Sequence, residues 1–294
     1  MSEQLVAFFI TFTIMFGGII LNLFVLAAAR NMSSMNGSFG IITKNHAICN
    51  LTMCLLYVLV VCPMQLSNIP ILITNSRYIG LASIILHECS NMLSLLMALN
   101  RFFAVFWYLR YNRIFSNSNT TFMKNFGGLV FAVIYYILYD YLGCFFYYEK
   151  SSYTFWLVDT PLCYSVSWYS DILFNNSLVV FTLAINLITV YKAGKSNRNL
   201  LQAAGAQMTK RNRQRELGFI KQSFAQGAVI FGGQCVYYVG AVFVTNSVLL
   251  FFITSLWVFV HAIQGGFMLI SNQEMRSAMS KKQNSIASPF VVTV

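Results

Sequence analysis

The chain has 294 residues, 57% apolar and 9% charged, with 19 Lys+Arg against 8 Asp+Glu. Soluble domains run at about 45–50% apolar and about 25% charged, so a water-soluble globule is excluded. The 16% of aromatics excludes a disordered chain as well. The positive excess does not point to nucleic acid, because the basic residues fall in short stretches between long apolar runs and not on a soluble basic face.

Crossing a hydrocarbon core of about 30 Å takes about 20 mainly apolar helical residues. In chain order the candidate spans are Leu5–Ala29, Ala47–Ile69, Ile79–Asn100, Phe126–Tyr148, Trp168–Tyr191, Gln222–Val244 and Val248–Ile270. The first, second, sixth and seventh carry no formal charge; the third holds His87 and Glu88, the fourth Asp140 and the fifth Asp171. Their apolar residues are continuous and do not alternate, which excludes a transmembrane β-barrel. Without water at that depth, backbone groups must pair within each segment, and helix does this. The expectation is an all-α membrane protein: one seven-helix domain spanning 1–294, with residues 271–294 as a short cytoplasmic tail.

Lys and Arg accumulate in cytoplasmic loops. The loops after spans one, three and five plus the tail hold 17 of the 19 basic residues, and only Arg77 and Lys150 lie on the other side. The amino terminus is therefore expected outside and the carboxyl terminus inside. The head Met1–Gln4 lacks the basic region and cleavage site of a removable signal peptide.

Seven helices with an outside amino terminus is the architecture of G-protein-coupled receptors, and local motifs sharpen the likeness. Asn100-Arg101-Phe102 at the inner end of span three resembles the Asp-Arg-Tyr element of rhodopsin-like receptors, with Asn in place of the acid. The stretches NRFFAVFWYLRYNRIFS (Asn100–Ser116) and NGSFGIITKNHAICN (Asn36–Asn50) resemble the nematode chemoreceptor family called serpentine receptor class X. So do FYYEKSSYTFWLVDTPLC (Phe146–Cys163), RQRELGFIKQS (Arg213–Ser223) and SNQEMR (Ser271–Arg276). The resemblance implies a chemosensory receptor in the plasma membrane, or in a sensory cilium, that signals through a heterotrimeric G protein. The sequence departs from rhodopsin-like receptors in lacking Cys-Trp-x-Pro in span six and Asn-Pro-x-x-Tyr in span seven. Counting from Asn50-Leu51, Leu55 falls where those receptors keep a sodium-binding Asp.

On the inner side, Arg101 reads as a switch bonded within the bundle at rest, or as a snorkelling span end. Lys210, Arg211, Arg213 and Arg215 precede span six, and they suit either a docking wall for a Gα subunit or attraction to anionic lipid. On the outer side, Cys62, Cys144 and Cys163 lie in the oxidising compartment, where disulfides persist, and allow three pairings. Rhodopsin-like receptors tie the second outer loop to the top of span three, which has no Cys here. Cys144–Cys163 is therefore favoured, with Cys62–Cys163 as the alternative. Phe145–Tyr148 and Tyr153–Trp156 flank Glu149-Lys150-Ser151-Ser152 and read as a hairpin with a four-residue turn.

A ligand cavity is expected in the outer half among spans three, five, six and seven, with Ser83, His87, Glu88, Trp168, Tyr237, Tyr238 and His261 as candidate wall residues. Ionisable groups within a span are functional candidates, and Glu88 is the deepest acid. Ser83 stands where amine receptors place an Asp, which disfavours an amine bound in the usual way. No phosphate loop, metal-ligand cluster or nucleophile motif is present, so neither an enzyme, a cofactor nor a metal is expected. A seven-helix channel with an inside amino terminus and a repeat-built transporter are the alternatives. On intact cells an epitope tag at the amino terminus is expected to be accessible and one at the carboxyl terminus to be protected; the reverse would favour the channel.

Overall fold

A computed structural model of the chain describes residues 2–67, 69–203, 224–225, 227–240, 243–272 and 274–277. Six described helices are long and apolar enough to cross a membrane: α1 (Glu3–Arg30), α2 (Ser38–Ser67), α3 (Ser76–Phe106), α4 (Asn117–Tyr141), α5 (Pro161–Ala193) and α7 (Ser247–Ser271). A further helix, α6, is described over 227–240, and parts of its expected span lie outside the described residues. The helices form an all-α bundle. Helices α3 and α7 occupy its middle, with 56% and 61% of their apolar windows buried, whereas α4 lies at the rim with 6%. The aromatic and aliphatic residues of α1, α4 and α5 that remain exposed, such as Phe9, Phe122 and Phe181, form the lipid-facing coat.

Local sequence explains the ends and irregularities of these helices. Ser116 caps α4 by accepting from the Asn119 N–H at 3.2 Å, and Asn246 caps α7 by accepting from the Leu249 N–H at 3.0 Å. Thr160 caps α5, with Pro161 in the first turn, where its missing N–H costs nothing. Within α2, Pro63 can neither donate to the carbonyl four residues back nor leave it room. The helix answers by widening just before it, at Tyr57–Val61, where the Cys62 N–H reaches back five residues to Tyr57. Similar wide turns occur at Ile137–Tyr141 in α4, Trp168–Asn175 in α5 and Val236–Gly240 in α6. All four lie toward the same end of the bundle.

That end carries a two-stranded antiparallel hairpin, β1 (Phe146–Glu149) and β2 (Thr154–Leu157), paired Phe146 to Leu157 through Glu149 to Thr154. This corrects two expectations. The fourth span does not run on to Tyr148: α4 stops at Tyr141, and the left-handed Gly143 (φ 77°) turns the chain into β1. The aromatic run Phe145–Tyr148 is apolar because it packs into the bundle mouth, and hydropathy alone does not separate that from a continuing span. The four-residue loop is Lys150–Tyr153, one residue later than expected, with Tyr153 itself at φ 57°.

The hairpin is seated deeply. Tyr148 and Phe155 join Tyr57, Val61 and Met64 of α2 and Phe251 of α7 in one apolar cluster. The Tyr148 N–H donates to Ser76 Oγ at 3.1 Å, and Gln65 Nε2 donates to the Tyr153 carbonyl at 3.0 Å. Gly80 allows β1 to press on α3: a Cβ there would stand 2.5 Å from the Phe146 carbonyl oxygen, a backbone atom. Gly80→Val is expected to lower stability by about 1–3 kcal/mol through overpacking. Gly17→Ala, at a position with open space around it, is expected to stay within about 0.5 kcal/mol. Thermal unfolding of the purified protein in detergent checks both.

Candidate functional site

Two apolar clusters divide the bundle, one beneath the hairpin and one toward the opposite, basic end, where Val25, Met35, Phe39, Leu93, Met97 and Met268 meet. At their boundary the central helices carry buried polar side chains, and these bond to one another. His87 Nδ1 on α3 lies 3.1 Å from His261 Nε2 on α7, and His261 Nδ1 lies 2.8 Å from Asn50 Oδ1 on α2. Ser90 Oγ donates to Asn50 Oδ1 at 3.1 Å and lies 2.8 Å from His46 Nε2. All three histidines of the chain therefore share one network. An amide oxygen only accepts, so with neutral rings His261 Nδ1–H donates to Asn50, and His87 Nδ1–H donates to His261 Nε2. At 37% exposure Leu55 faces outward, and His46 and Asn50 are the α2 side chains that reach this network. The spacing of the three histidines in the sequence does not show this network, because α2, α3 and α7 are brought together only by the fold.

His87 also lines a cavity of about 60 Å³ nearer the hairpin, together with Ile84, Glu88, Asp171, Asn175, Gln234, Tyr237, Trp257 and Phe146. These come from α3, α5, α6, α7 and β1. Glu88 is fully buried, and its Oε1 accepts from Asn175 Nδ2 at 2.6 Å. The Asp171 carboxylate accepts from the Tyr139 hydroxyl at 2.7 Å and from Ser167 Oγ at 2.9 Å. The Trp257 ring meets His87 edge to face, 5.4 Å between centroids. Asp171, Asn175 and Tyr237 all sit in widened turns, which rotate side chains relative to a regular helix.

Of the expected wall residues, His87, Glu88 and Tyr237 line the cavity. His261 sits one hydrogen bond deeper. Ser83 is buried but turns its hydroxyl back to the Ile79 carbonyl at 2.8 Å. Trp168 is 46% exposed and faces away from the bundle, because the wide turn that begins there brings Asp171 and Asn175 inward instead. The Tyr238 side chain lies outside the described residues. Phe146 and Asn175 were missed, Phe146 because it read as part of a span and Asn175 because a lone Asn in a span carries no chemical signature. Cys144 and Cys163 are joined, and Cys62 is a free, buried thiol. Among the described residues no group of three or more His, Cys, Asp or Glu could hold a metal ion.

At the basic end Arg101 is buried, its guanidinium 3.5 Å from the centroid of the Phe39 ring. Asn100 Nδ2 donates to Ser38 Oγ at 2.9 Å, and the Tyr111 hydroxyl lies 2.9 Å from Ser38 Oγ and 3.3 Å from Asn100 Oδ1. This neutral triangle ties α3 to the start of α2 and to the short helix Tyr108–Ile114. A second cavity of about 300 Å³ opens here, lined by Ser34, Ser38, Phe39, Arg101, Tyr111 and Asn117 among others. Lys210, Arg211, Arg213 and Arg215 lie outside the described residues.

A family model described as serpentine type 7TM GPCR chemoreceptor Srx matches residues 12–272. The chain belongs to this family. It is thus a multi-pass membrane protein of the G-protein-coupled chemoreceptor type, in a family of receptors and not of enzymes. Comparison with curated proteins finds no match. In this Srx receptor the polar network joins the wall of one cavity to the middle of the bundle. His87→Ala and His261→Ala are expected to be non-additive, with a coupling of about 0.6–1.7 kcal/mol, the range of interhelical hydrogen bonds in membranes. A double-mutant cycle on thermal unfolding measures it, and additive effects would mean the two rings act separately.

Proposed function

We propose that this receptor detects a small-molecule cue at the hairpin end of the bundle and activates a heterotrimeric G protein at the basic end. On this reading the amino terminus and the hairpin face the outside, and the protein works in the plasma membrane or a sensory cilium. The observation that carries the proposal is the continuous set of polar contacts beginning at His87 in the cavity wall and passing through His261, Asn50 and Ser90 to His46. A ligand shifts a conformational equilibrium only by its difference in affinity for the two states. A contact to His87 that exists in one state and not in the other supplies such a difference. Asn50 offers two polarities, because turning its amide would exchange acceptor for donor toward both His261 and Ser90.

At the basic end the described contacts of Asn100 are neutral, and Arg101 lies against an aromatic ring. Opening them requires no separation of a carboxylate from Asn100, only of hydroxyl and amide groups, each worth about 0.5–1.5 kcal/mol net. Leaving the Phe39 ring would turn Arg101 toward the 300 Å³ cavity, where a G-protein segment could dock. Nucleotide exchange on Gα, measured in membranes, tests the reading. Arg101→Ala is expected to reduce ligand-driven exchange about tenfold or more, within the span of ordinary coupling energies, with surface expression retained. Unchanged exchange would remove Arg101 from this role.

A further inference from the structure

We infer that the cavity beneath the hairpin selects a small organic cation, most simply a protonated primary amine, with Glu88 as its counter-ion. The inference rests on the receptor reading above and names the ligand class of the same site. Glu88 is fully buried; one carboxyl oxygen is engaged by Asn175, the other, Oε2, makes no close hydrogen bond, and the side chains of Asn91 and Tyr135 stand beside the carboxyl. A buried carboxyl with an unused acceptor costs free energy in a membrane-spanning bundle, and such groups are retained for function more often than for stability.

The rest of the cavity has the same preference. Its second acid, Asp171, is already held by Tyr139, Ser167 and Ser170, so it contributes negative potential without competing for the ligand's protons. Among the described residues no Lys or Arg lines the cavity. Phe146, Tyr237 and Trp257 supply aromatic walls, and the faces of such rings attract cations. Among the described lining residues an anion would meet two acids, with the imidazole of His87 as the one basic group. A neutral alcohol would gain a single hydrogen bond and leave the field unused.

Size limits the occupant further. About 60 Å³ is well short of the roughly 150 Å³ that accepts benzene. The cavity therefore takes an ammonium head and its first carbons, and a longer chain extends beyond its walls. The ion pair forms with Glu88 ionised: a protonated amine displaces the carboxyl proton to water, or a neutral amine takes that proton at its nitrogen. Both routes end in the same pair. Ser83, where amine receptors place an Asp, has its hydroxyl committed to Ile79; the acid on α3 is Glu88, five residues further along.

The test compares isopentylamine, isopentanol and isopentanoic acid as probes of the full chain in lipid nanodiscs, by thermal shift and by Gα nucleotide exchange. The amine is expected to bind about tenfold or more tightly than the alcohol, the lower bound for a hydrogen bond to a charged group, and the acid not to bind. Glu88→Gln should erase the amine's advantage and leave the alcohol unchanged, and Asp171→Asn should weaken the amine severalfold. Equal binding of amine and alcohol to the unmodified receptor, or tighter binding of the acid, overturns the proposal even if Glu88→Gln fails to reach the membrane. Amine binding without nucleotide exchange would sink the receptor reading and leave the site standing. Exchange driven by a non-basic odorant, with no amine bound, would sink the site and leave the receptor reading standing.

Discussion

A lipid tail can neither donate nor accept a hydrogen bond, so each polar group inside the bilayer must find its partner within the protein. For the backbone this dictates helices. For side chains it dictates where the helices meet, because a polar residue facing lipid would lose its partner altogether. His46, Asn50, His87, Ser90, His261 and Gln264 come from three helices and lie at one level, between an apolar cluster above and another below. The clusters contribute packing that is tolerant of small slips. The polar belt is not tolerant: sliding α7 by one turn would separate His261 from both His87 and Asn50. The belt thus fixes the register of α2, α3 and α7, and through them the positions of the walls that define both cavities.

The same constraint explains what could be read from the sequence. Charge-free runs near 20 residues are forced by the bilayer, so the helices and the depth of Glu88 were legible directly. The likeness of Asn36–Asn50 and Asn100–Ser116 to Srx receptors gave the family that the match over residues 12–272 shows. What failed were places where the apolar character of a residue has two possible causes. Phe146 and Tyr148 are apolar because a strand is buried in the bundle mouth, yet they read as a helix continuing through lipid. Trp168 read as a cavity wall and faces outward, since an eight-residue wide turn re-phases α5. The same wide turn brings in Asp171, which accepts from three hydroxyls. A helical period of 3.6 assigns faces only while the helix stays regular, and Pro63 was the one visible mark of the four widened turns.

The basic end shows how one substitution changes the energetics of a shared architecture. Where rhodopsin-like receptors carry an acid next to the arginine, Asn100 can form only neutral bonds, and it forms them with Ser38 and Tyr111. The guanidinium rests on Phe39, a contact that depends on the ring's quadrupole and on exclusion of water. Contacts of this kind are less sensitive to salt than an exposed ion pair. Its strength is set by the packing of Phe39 and Tyr111, both part of or bordering the basic-end cluster.

At the hairpin end, packing and the cavity wall draw on the same residues. Phe146 is at once a strand residue, a wall of the cavity and the group that Gly80 admits against α3. The hairpin is held by Ser76 at the start of α3, by Gln65 in α2 and by Thr154 near Ser255 of α7, 3.5 Å between hydroxyls. Those are the three helices that the polar belt joins below. If an occupant larger than 60 Å³ displaces Phe146, the displacement is borne by contacts on α2, α3 and α7 together and not by a loop free to move alone. A disulfide joins Cys144, two residues before β1, to Cys163 in the first turn of α5, so the base of the hairpin is tied to that helix as well. The route by which binding could be felt at the far end therefore begins in packing around the hairpin and continues in hydrogen bonds, with α3 common to both.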